Sequence, residues 1–152
     1  MIKRFNVRIY GILIRNNSVL VSDEFIKGNN ITKFPGGGLN YGEGAFEGLV
    51  REFKEELDLK IAIIKHFYTT DFFVASAFDP NSQVISIYYI VESNQKDNIK
   101  VSEKSFDFTP KEGAQSFRWI HLDKISDNDF TLIIDKRVGE MLRIEFDKWK
   151  KI

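Results

Sequence analysis

The 152-residue sequence contains no cysteine, only two histidines and three prolines, and no excess charge of either sign. The absence of cysteine excludes disulfides, thiolate metal sites and cysteine nucleophiles, and it suits the reducing cytoplasm, which is the location we expect. Lysine plus arginine total 22, as do aspartate plus glutamate. Because a net positive charge normally drives binding to polymeric nucleic acid, we expect no such partner; a small anionic ligand is compatible with the balanced charge.

Long apolar runs are also missing from the chain. No stretch of about 18 uninterrupted apolar residues occurs, so we expect no transmembrane helix and no membrane partner. The amino-terminal apolar segment is interrupted by Asn6, Arg8 and Arg15, and therefore predicts a strand and not a signal peptide. With 43% hydrophobic residues, the chain is long enough to bury a core, and we expect a single domain over residues 1–152.

Several segments show the composition of β strands. Residues 5–14 and 19–25 are rich in β-branched and apolar side chains, and the Asn16-Asn17 pair between them predicts a hairpin turn. Further strands are predicted over residues 61–70, 72–78, 84–92 and 117–121. The segment from Phe34 to Gly38, with sequence FPGGG, predicts a loop because glycine and proline weaken regular strands.

Two segments show the apolar spacing of amphipathic helices. The first covers residues 43–57 and places five apolar side chains on one face: Phe46, Leu49, Val50, Phe53 and Leu57. The second starts near Asp135, a suitable N-cap residue, and places Val138, Met141, Leu142, Phe146 and Trp149 on one side. Strands that mostly neighbour each other through short turns, combined with two such helices, favour an α+β fold.

The first helix carries three glutamates at spacing i, i+3 and i+4: Glu52, Glu55 and Glu56. This spacing places them on one stripe of the helix, where like charges cost on the order of a few tenths of a kcal/mol per pair. A bound divalent cation would compensate that repulsion, and Mg²⁺ binds through a few carboxylates while it keeps water and phosphate oxygens as ligands. The glycine segment allows a close approach of the backbone to such a metal-bound phosphate.

Residues 37–59, GGLNYGEGAFEGLVREFKEELDL, resemble the Nudix box, G-x5-E-x7-R-E-U-x-E-E-x-G-U, in which U is apolar. Eight specified positions match in register: Gly37, Glu43, Arg51, Glu52, Phe53, Glu55, Glu56 and Leu59. One position departs, because Asp58 stands where the family usually has glycine. That position lies at the predicted end of the helix, where a left-handed backbone is needed. We therefore expect the departure to affect local stability more than catalysis.

This resemblance implies a Nudix-like α/β/α sandwich with a mixed sheet between helices. It also implies a Mg²⁺- or Mn²⁺-dependent enzyme that hydrolyses a phosphoanhydride bond in a nucleoside diphosphate linked to another moiety. By position in the motif, Glu52, Glu55 and Glu56 would bind the metal, together with the backbone carbonyl of Gly37. Arg51 would orient the carboxylates with Glu43 or Glu47 as its partner.

The general base is not specified by the motif, because Nudix enzymes use either a helix glutamate or a carboxylate on a later loop. For the later carboxylate we favour Glu112, which directly precedes the strand containing Trp119, and we include it as a further metal ligand. Glu103 and Asp107 are weaker alternatives. We interpret His66 and His121 as packing or surface residues and not as bases.

Three functions remain open from the sequence. The leading hypothesis is hydrolysis of a dinucleotide, a sugar nucleotide or a non-standard nucleotide. The second is a non-catalytic Nudix-like binding or sensor module, and the third is an RNA 5′-end pyrophosphohydrolase. The complete set of motif glutamates argues against the second, and the neutral net charge disfavours the third. The resemblance also allows a homodimer.

Overall fold

The computed structural model describes residues 1–150, which contain seven β strands and two α helices. The strands are β1 (Arg4–Arg15), β2 (Ser18–Ile26), β3 (Asn29–Lys33), β4 (Gly36–Gly38), β5 (Ala62–Thr69), β6 (Ser82–Glu92) and β7 (Gln115–His121), and the helices are α1 (Ala45–Leu57) and α2 (Ile133–Trp149). The chain forms two compact units: residues 1–13 with 35–99, and residues 14–34 with the chain from 100 onward. Within residues 1–150, no helix is long and apolar enough to cross a membrane.

The predicted hairpin between β1 and β2 is confirmed. Ile14 pairs with Val19 and Arg15 with Ser18, so the connection has two residues. These are Asn16 and Asn17, with φ angles of 50° and 62°. Asparagine tolerates this left-handed conformation better than most residues, and two-residue hairpins require it at both central positions.

The sheet of the first unit has the strand order β4, β1, β6, β5. Strand β1 pairs with β6 in parallel over ten residue pairs, from Arg4 opposite Ser82 to Leu13 opposite Val91. The β1–β4 and β5–β6 pairs are antiparallel. The expected mixed sheet and α+β class are therefore confirmed.

Helix α1 packs against the sheet of the first unit through Leu49 and Phe53, which are buried. Two glycines allow the close approach. A Cβ atom at Gly48 would lie 2.5 Å from Cδ1 of Ile9, and one at Gly11 would lie 2.7 Å from the ring of Phe53. Because interiors are densely packed, any larger residue at these positions would push the helix away from β1. The position of α1 relative to β1 and β4 is thus determined by small residues.

In the second unit, β2 pairs antiparallel with β3 on one side and β7 on the other. The side chain of Asp23 is fully buried on β2 and has several partners. It accepts hydrogen bonds from Arg118 Nε at 2.7 Å, from Thr32 Oγ1 at 2.6 Å and from the Phe106 backbone N–H at 3.2 Å. These bonds compensate the cost of burying the charge, and they attach the loop around Phe106 to the sheet.

One prediction around the glycine segment is wrong, and one strand beside it was not predicted. Gly36–Gly38 forms the short strand β4 and not a loop, since its backbone pairs with residues 8–10 of β1. The polar residues Asn29–Lys33 form β3, which the sequence did not predict. In both cases backbone hydrogen bonds to a neighbouring strand provide the stabilisation, whereas intrinsic propensity argues against a strand.

The strand predicted over residues 72–78 is absent from the described chain, apart from an isolated bridge between Ala75 and Gln83. The hydroxyl of Ser76 explains where this pairing stops. It accepts hydrogen bonds from the backbone N–H groups of Phe78 and Asp79, each at 3.2 Å. Such local side-chain bonds compete with pairing between strands.

The predicted N-cap at Asp135 is also wrong, because α2 begins at Ile133 and Asp135 is a buried residue of its first turn. The preceding chain is held extended against β3. Thr131 donates its N–H to the Thr32 carbonyl at 3.2 Å, and its hydroxyl accepts the Thr32 N–H at 2.9 Å. The helix can therefore begin directly after this pairing ends.

Candidate active site

The three motif glutamates lie on α1 in the first unit and differ in exposure. The Glu52 side chain is 12% exposed and the Glu55 side chain 60% exposed. Glu56 is half-buried, and its Oε2 atom is shielded from solvent. The three carboxylates thus range from the largely shielded Glu52 to the solvent-exposed Glu55.

The carboxylate of Glu52 lies directly against the backbone of Gly37 on β4. A Cβ atom at Gly37 would lie 2.7 Å from Glu52 Oε1 and 2.9 Å from its Cδ, closer than Cβ contacts normally come. With a Cβ at this position, the Glu52 carboxylate would have to move from its observed place. The structure therefore brings together Gly37 and Glu52, which the sequence placed in one site from their positions in the motif.

Arg51 connects the glycine strand to the helix through all five of its N–H donors. Its Nε and Nη2 donate to the two carboxylate oxygens of Glu43 at 2.9 and 2.7 Å. Nη2 also donates to the Gly38 carbonyl at 3.0 Å, and Nη1 donates to Glu52 and Glu55 at 3.1 and 3.2 Å. The rigid fork of the guanidinium therefore links Glu52 and Glu55 to Glu43 and to the glycine strand.

Of the two partners predicted for Arg51, Glu43 is the one observed. Glu47 instead accepts the N–H of Gly44 at 3.2 Å, at the start of α1. Glu43 also accepts the N–H of Asn40 at 2.8 Å. The hydrogen bonds from Arg51 and Asn40 lower the pKa of Glu43 from 4.5 to about 2, and the contact with Glu43 raises the pKa of Arg51 above its ordinary value.

We expect the Glu43 carboxyl to titrate near pH 2 in the folded protein, which carbon NMR of the side-chain carboxyl would measure. Since the pKa in the folded state lies below the ordinary 4.5, ionised Glu43 stabilises the fold above about pH 4.5. This contribution disappears as the pH falls towards 2. Arg51→Gln should move the titration back up. A Glu43 carboxyl that titrates near 4.5 in the folded wild type would contradict the bidentate contact.

The site's donors fit a hard divalent cation, since carboxylates and a backbone carbonyl are all oxygen ligands. The Gly37 carbonyl faces β1, because the bonds from the Gly11 N–H to Pro35 and from the Leu39 N–H to Val7 make Ile9 and Gly37 a hydrogen-bonded pair. A metal would have to use the second lone pair of this carbonyl. However, residues 1–150 contain no preassembled group of three acidic or histidine side chains arranged to hold a metal. Arg51 donates to both Glu52 and Glu55. Metal binding would therefore require the exposed Glu55 side chain to change rotamer.

The backbone at Asp58, the departure from the motif, is left-handed, with φ 50° and ψ 39°. The N–H of Leu59 donates to the Phe53 carbonyl at 3.3 Å, as is typical where a left-handed residue ends a helix. The Lys54 ammonium contacts the Asp58 carboxylate and lowers its pKa. Asp58 therefore supplies the helix end that glycine usually supplies, together with an exposed ion pair.

Asp58→Gly should raise the melting temperature by about 2 °C, because glycine adopts the left-handed backbone without a steric penalty. The lost ion pair is exposed and should offset little of this gain. Asp58→Ala is the matched control: it also removes the ion pair but keeps a Cβ, and it should lower the melting temperature. Equal melting temperatures for the two variants, measured by circular dichroism, would show that the left-handed backbone costs nothing here.

Glu112 lies in the second unit, whereas the other predicted site residues lie in the first. Both of its carboxylate oxygens accept the backbone N–H of Lys27, at 3.0 and 2.8 Å. Lys27 is in the turn between β2 and β3 and has a φ of 47°. Glu112 therefore stabilises a turn. The alternative bases Glu103 and Asp107 are also in the second unit, where Asp107 accepts a hydrogen bond from Ser102.

Both histidines have local partners. His66 bonds to the Thr69 hydroxyl at 2.8 Å in the first unit. In the second unit, His121 lies 2.6 Å from Asp123 and lines an open cavity of about 290 Å³ with Phe146 and Trp149. These contacts are consistent with packing and surface roles.

The Gly38 carbonyl was missed by the sequence analysis as part of the Arg51 network. It accepts one of the Arg51 hydrogen bonds. A backbone acceptor has no residue-type signature, so only the path of the chain identifies it.

A family model described as the NUDIX domain matches residues 5–138. That range covers most of the chain and includes the whole of α1 and β4. The chain therefore belongs to the Nudix family, and the sequence-based recognition is confirmed.

Solved structures show the same fold. The chain is similar to a MutT protein from Methanosarcina mazei Go1, with 19% identity and a TM-score of 0.66, covering 99% of this chain and 98% of the other. It is also similar to a MutT NUDIX hydrolase from Burkholderia pseudomallei, with 14% identity and a TM-score of 0.64, covering 90% and 96%. A UDP-X diphosphatase matches with 14% identity and a TM-score of 0.57, covering 92% and 59%.

No curated protein matches the sequence. The family match and the structural likenesses together confirm the expected Nudix sandwich fold and a Nudix-type pyrophosphohydrolase at the level of the family.

Proposed function

We propose that this protein hydrolyses a phosphoanhydride bond in a nucleoside diphosphate linked to another moiety, with Mg²⁺ or Mn²⁺ as its cofactor. One observation carries this proposal: the Glu52 carboxylate lies directly against the backbone of Gly37, which has no side chain. This arrangement places an anionic oxygen directly against the backbone of the glycine strand. Hard cations that bridge a pyrophosphate require oxygen donors of this kind.

The residues of the site would have two roles, metal binding and the positioning of the metal ligands. Glu52, Glu55, Glu56 and the Gly37 carbonyl would hold the metal, which supplies charge neutralisation for the pyrophosphate and a lowered pKa for the attacking water. Arg51 positions Glu52 through Nη1 and is itself held by Glu43. Glu55 would leave its contact with Nη1 to reach the metal. Preorganised charge of this kind accounts for much of the barrier reduction in phosphoryl transfer.

For the general base we retain Glu112 as a proposal, both as the base and as a further metal ligand. Its contact with Lys27 engages each oxygen once, and an ionised carboxylate has about four lone-pair sites. Acceptor capacity for a water molecule therefore remains. We likewise propose that the chain forms one Nudix domain, on the basis of a family match over residues 5–138.

The substrate class includes dinucleotides, sugar nucleotides and non-standard nucleotides. The name of one structural neighbour, the UDP-X diphosphatase, supports the testing of UDP derivatives. The MutT proteins among the neighbours support the inclusion of nucleoside triphosphates in the same panel.

A non-catalytic sensor is the competing function from another class. The lack of a preassembled three-residue metal group among residues 1–150 is compatible with it. Against it, a binder has no need to hold Glu52 and Glu55 through one arginine, as this site does.

The proposal is tested by a screen of the purified protein with Mg²⁺ or Mn²⁺ against a panel of nucleoside diphosphate derivatives, nucleoside triphosphates and a 5′-triphosphorylated RNA. Released monophosphates and phosphate are measured by chromatography. We expect turnover of at least one member and its loss on addition of EDTA. Binding of panel members without any turnover would favour the sensor. Release of 5′-end pyrophosphate from triphosphorylated RNA alone would favour the RNA enzyme.

A further inference from the structure

The turn that precedes helix α1 carries a fully exposed aromatic residue, Tyr41. The N–H of Glu43 donates to the Asn40 carbonyl at 3.3 Å and closes a β turn with Tyr41 and Gly42 at its centre. Gly42 has a φ of 87°, which a type II turn requires at its second central position and which glycine adopts without a steric penalty. The backbone of the turn therefore fixes the point from which the Tyr41 side chain extends.

The turn is bonded to the network that includes Glu52. The N–H of Asn40 donates to Glu43 Oε1 at 2.8 Å, and Arg51 Nη2 donates to the same oxygen at 2.7 Å. Arg51 Nη1 donates to Glu52 Oε1 at 3.1 Å. One carboxylate and one guanidinium thus connect the residue before Tyr41 to the Glu52 carboxylate.

The turn also lies on the side of α1 that carries two of the motif glutamates. The Glu43 carboxylate covers Gly48, since a Cβ at Gly48 would lie 3.0 Å from Glu43 Oε1. Gly48, Glu52 and Glu55 are spaced i, i+4 and i+7, so they share one side of the helix. Gly48 and Glu52 are about 6 Å apart along the helix axis. The backbone that carries Tyr41 is therefore beside the candidate metal site, on the same side of α1.

We propose that Tyr41 is a specificity residue whose ring stacks on the base of a nucleoside diphosphate bound at Glu52. The inference rests on the proposed function, which places the diphosphate at these carboxylates. Every base has a π face, so stacking on an aromatic side chain requires no match of hydrogen-bond donors and acceptors. Tyrosine is suited to this role because it presents a large contact area with only two side-chain torsions to fix. Tyr41 thus distinguishes nucleotides from other diphosphates without selecting one base.

The inference is tested with Tyr41→Ala, which removes the ring, and with Tyr41→Phe as the matched control, which keeps it. Because the side chain is fully exposed, both variants should keep the melting temperature of the wild type. Two probes are titrated by calorimetry in the presence of Mn²⁺: α,β-methylene-ADP, whose bridging carbon resists hydrolysis, and methylenediphosphonate, which has the same type of bridge but no base. KM and kcat are measured on any substrate that the screen identifies.

We expect Tyr41→Ala to weaken the binding of α,β-methylene-ADP about 5- to 100-fold, as for a lost stacking contact with a base. Its affinity for methylenediphosphonate should equal that of the wild type, because this probe has no base. KM should rise by the same factor as the affinity for the ADP analogue falls, and kcat should change less, since the base is stacked in both the ground state and the transition state. Tyr41→Phe should bind both probes like the wild type.

The outcomes separate this inference from the proposed function. If the wild type hydrolyses a panel member while Tyr41→Ala keeps KM within twofold, the inference fails alone. It also fails if Tyr41→Ala weakens both probes to the same extent, because the effect then lies at the phosphate groups and not at the base. If α,β-methylene-ADP binds in a manner that depends on the ring but no compound is hydrolysed, the proposed function fails and the stacking role of Tyr41 stands. If the wild type neither binds nor hydrolyses any compound, both are overturned.

Discussion

Replacement of Glu56 by glutamine should lower kcat by orders of magnitude while the melting temperature changes little. Glutamine keeps the size of the side chain and removes the negative charge that a metal ligand supplies. Glu56 is half-buried on α1, with its Oε2 atom shielded from solvent, in line with Glu52. The measurement is steady-state turnover with Mg²⁺ on a substrate from the panel, together with thermal unfolding by circular dichroism.

The control for this variant is Glu140→Gln, which makes the same chemical change at an exposed position of α2. It should leave kcat and KM unchanged. Wild-type turnover by Glu56→Gln in the presence of magnesium would remove Glu56 from the site. A large fall in the melting temperature of Glu56→Gln would show that Glu56 stabilises the fold instead.

Gly37→Ala should reduce turnover about 100-fold, because catalysis is sensitive to misplacement of a ligand by about 1 Å. The new methyl group would lie 2.7 Å from Glu52 Oε1, so the carboxylate must move away from β4. The backbone of Gly37 has no positive φ, and alanine can adopt it without strain. We therefore expect the fold to be retained and the affinity for Mn²⁺ to fall, as measured by electron paramagnetic resonance with α,β-methylene-ADP present.

The matched control is Gly38→Ala, one residue further along β4. Among residues 1–150, and apart from Gly38 and its two chain neighbours, the one atom within 4 Å of a Cβ there would be Arg8 Nη1, at an ordinary contact distance of 3.7 Å. The Glu52 carboxylate should stay in place, and Mn²⁺ affinity should remain close to that of the wild type. Equal Mn²⁺ affinities for the two alanine variants would show that the contact between Gly37 and Glu52 does not position a metal ligand.

Elements with strong local signals were predicted well from the sequence. The apolar spacing around Leu49 and Phe53 identified α1 to within two residues at its start. The asparagine pair identified the turn of the first hairpin because left-handed backbone at both positions has few compatible residue types. For Arg51, the motif narrowed the partner to Glu43 or Glu47, and the structure selects Glu43.

Elements stabilised by distant partners were missed or misassigned. The three glycines of β4 have a low strand propensity, yet β1 offers hydrogen-bonding partners to their backbone. Residues 72–78 have a high strand propensity, yet their pairing stops at Ser76. Strand propensity describes how well a residue fits a β sheet in general. It does not say whether the fold offers a neighbouring strand to a given segment.

By itself, the sequence determined the family, the helix that carries the glutamates and the residue types available to a metal. These depend on motif spacing and helical periodicity, which are local properties. Only the tertiary structure decided three contacts. The Glu52 carboxylate lies against Gly37, Arg51 donates to the Gly38 carbonyl, and the Arg8 side chain lies beside Gly38. Such contacts join residues that are far apart in the chain, and they arise only when β4 pairs with β1 and α1 packs against the sheet.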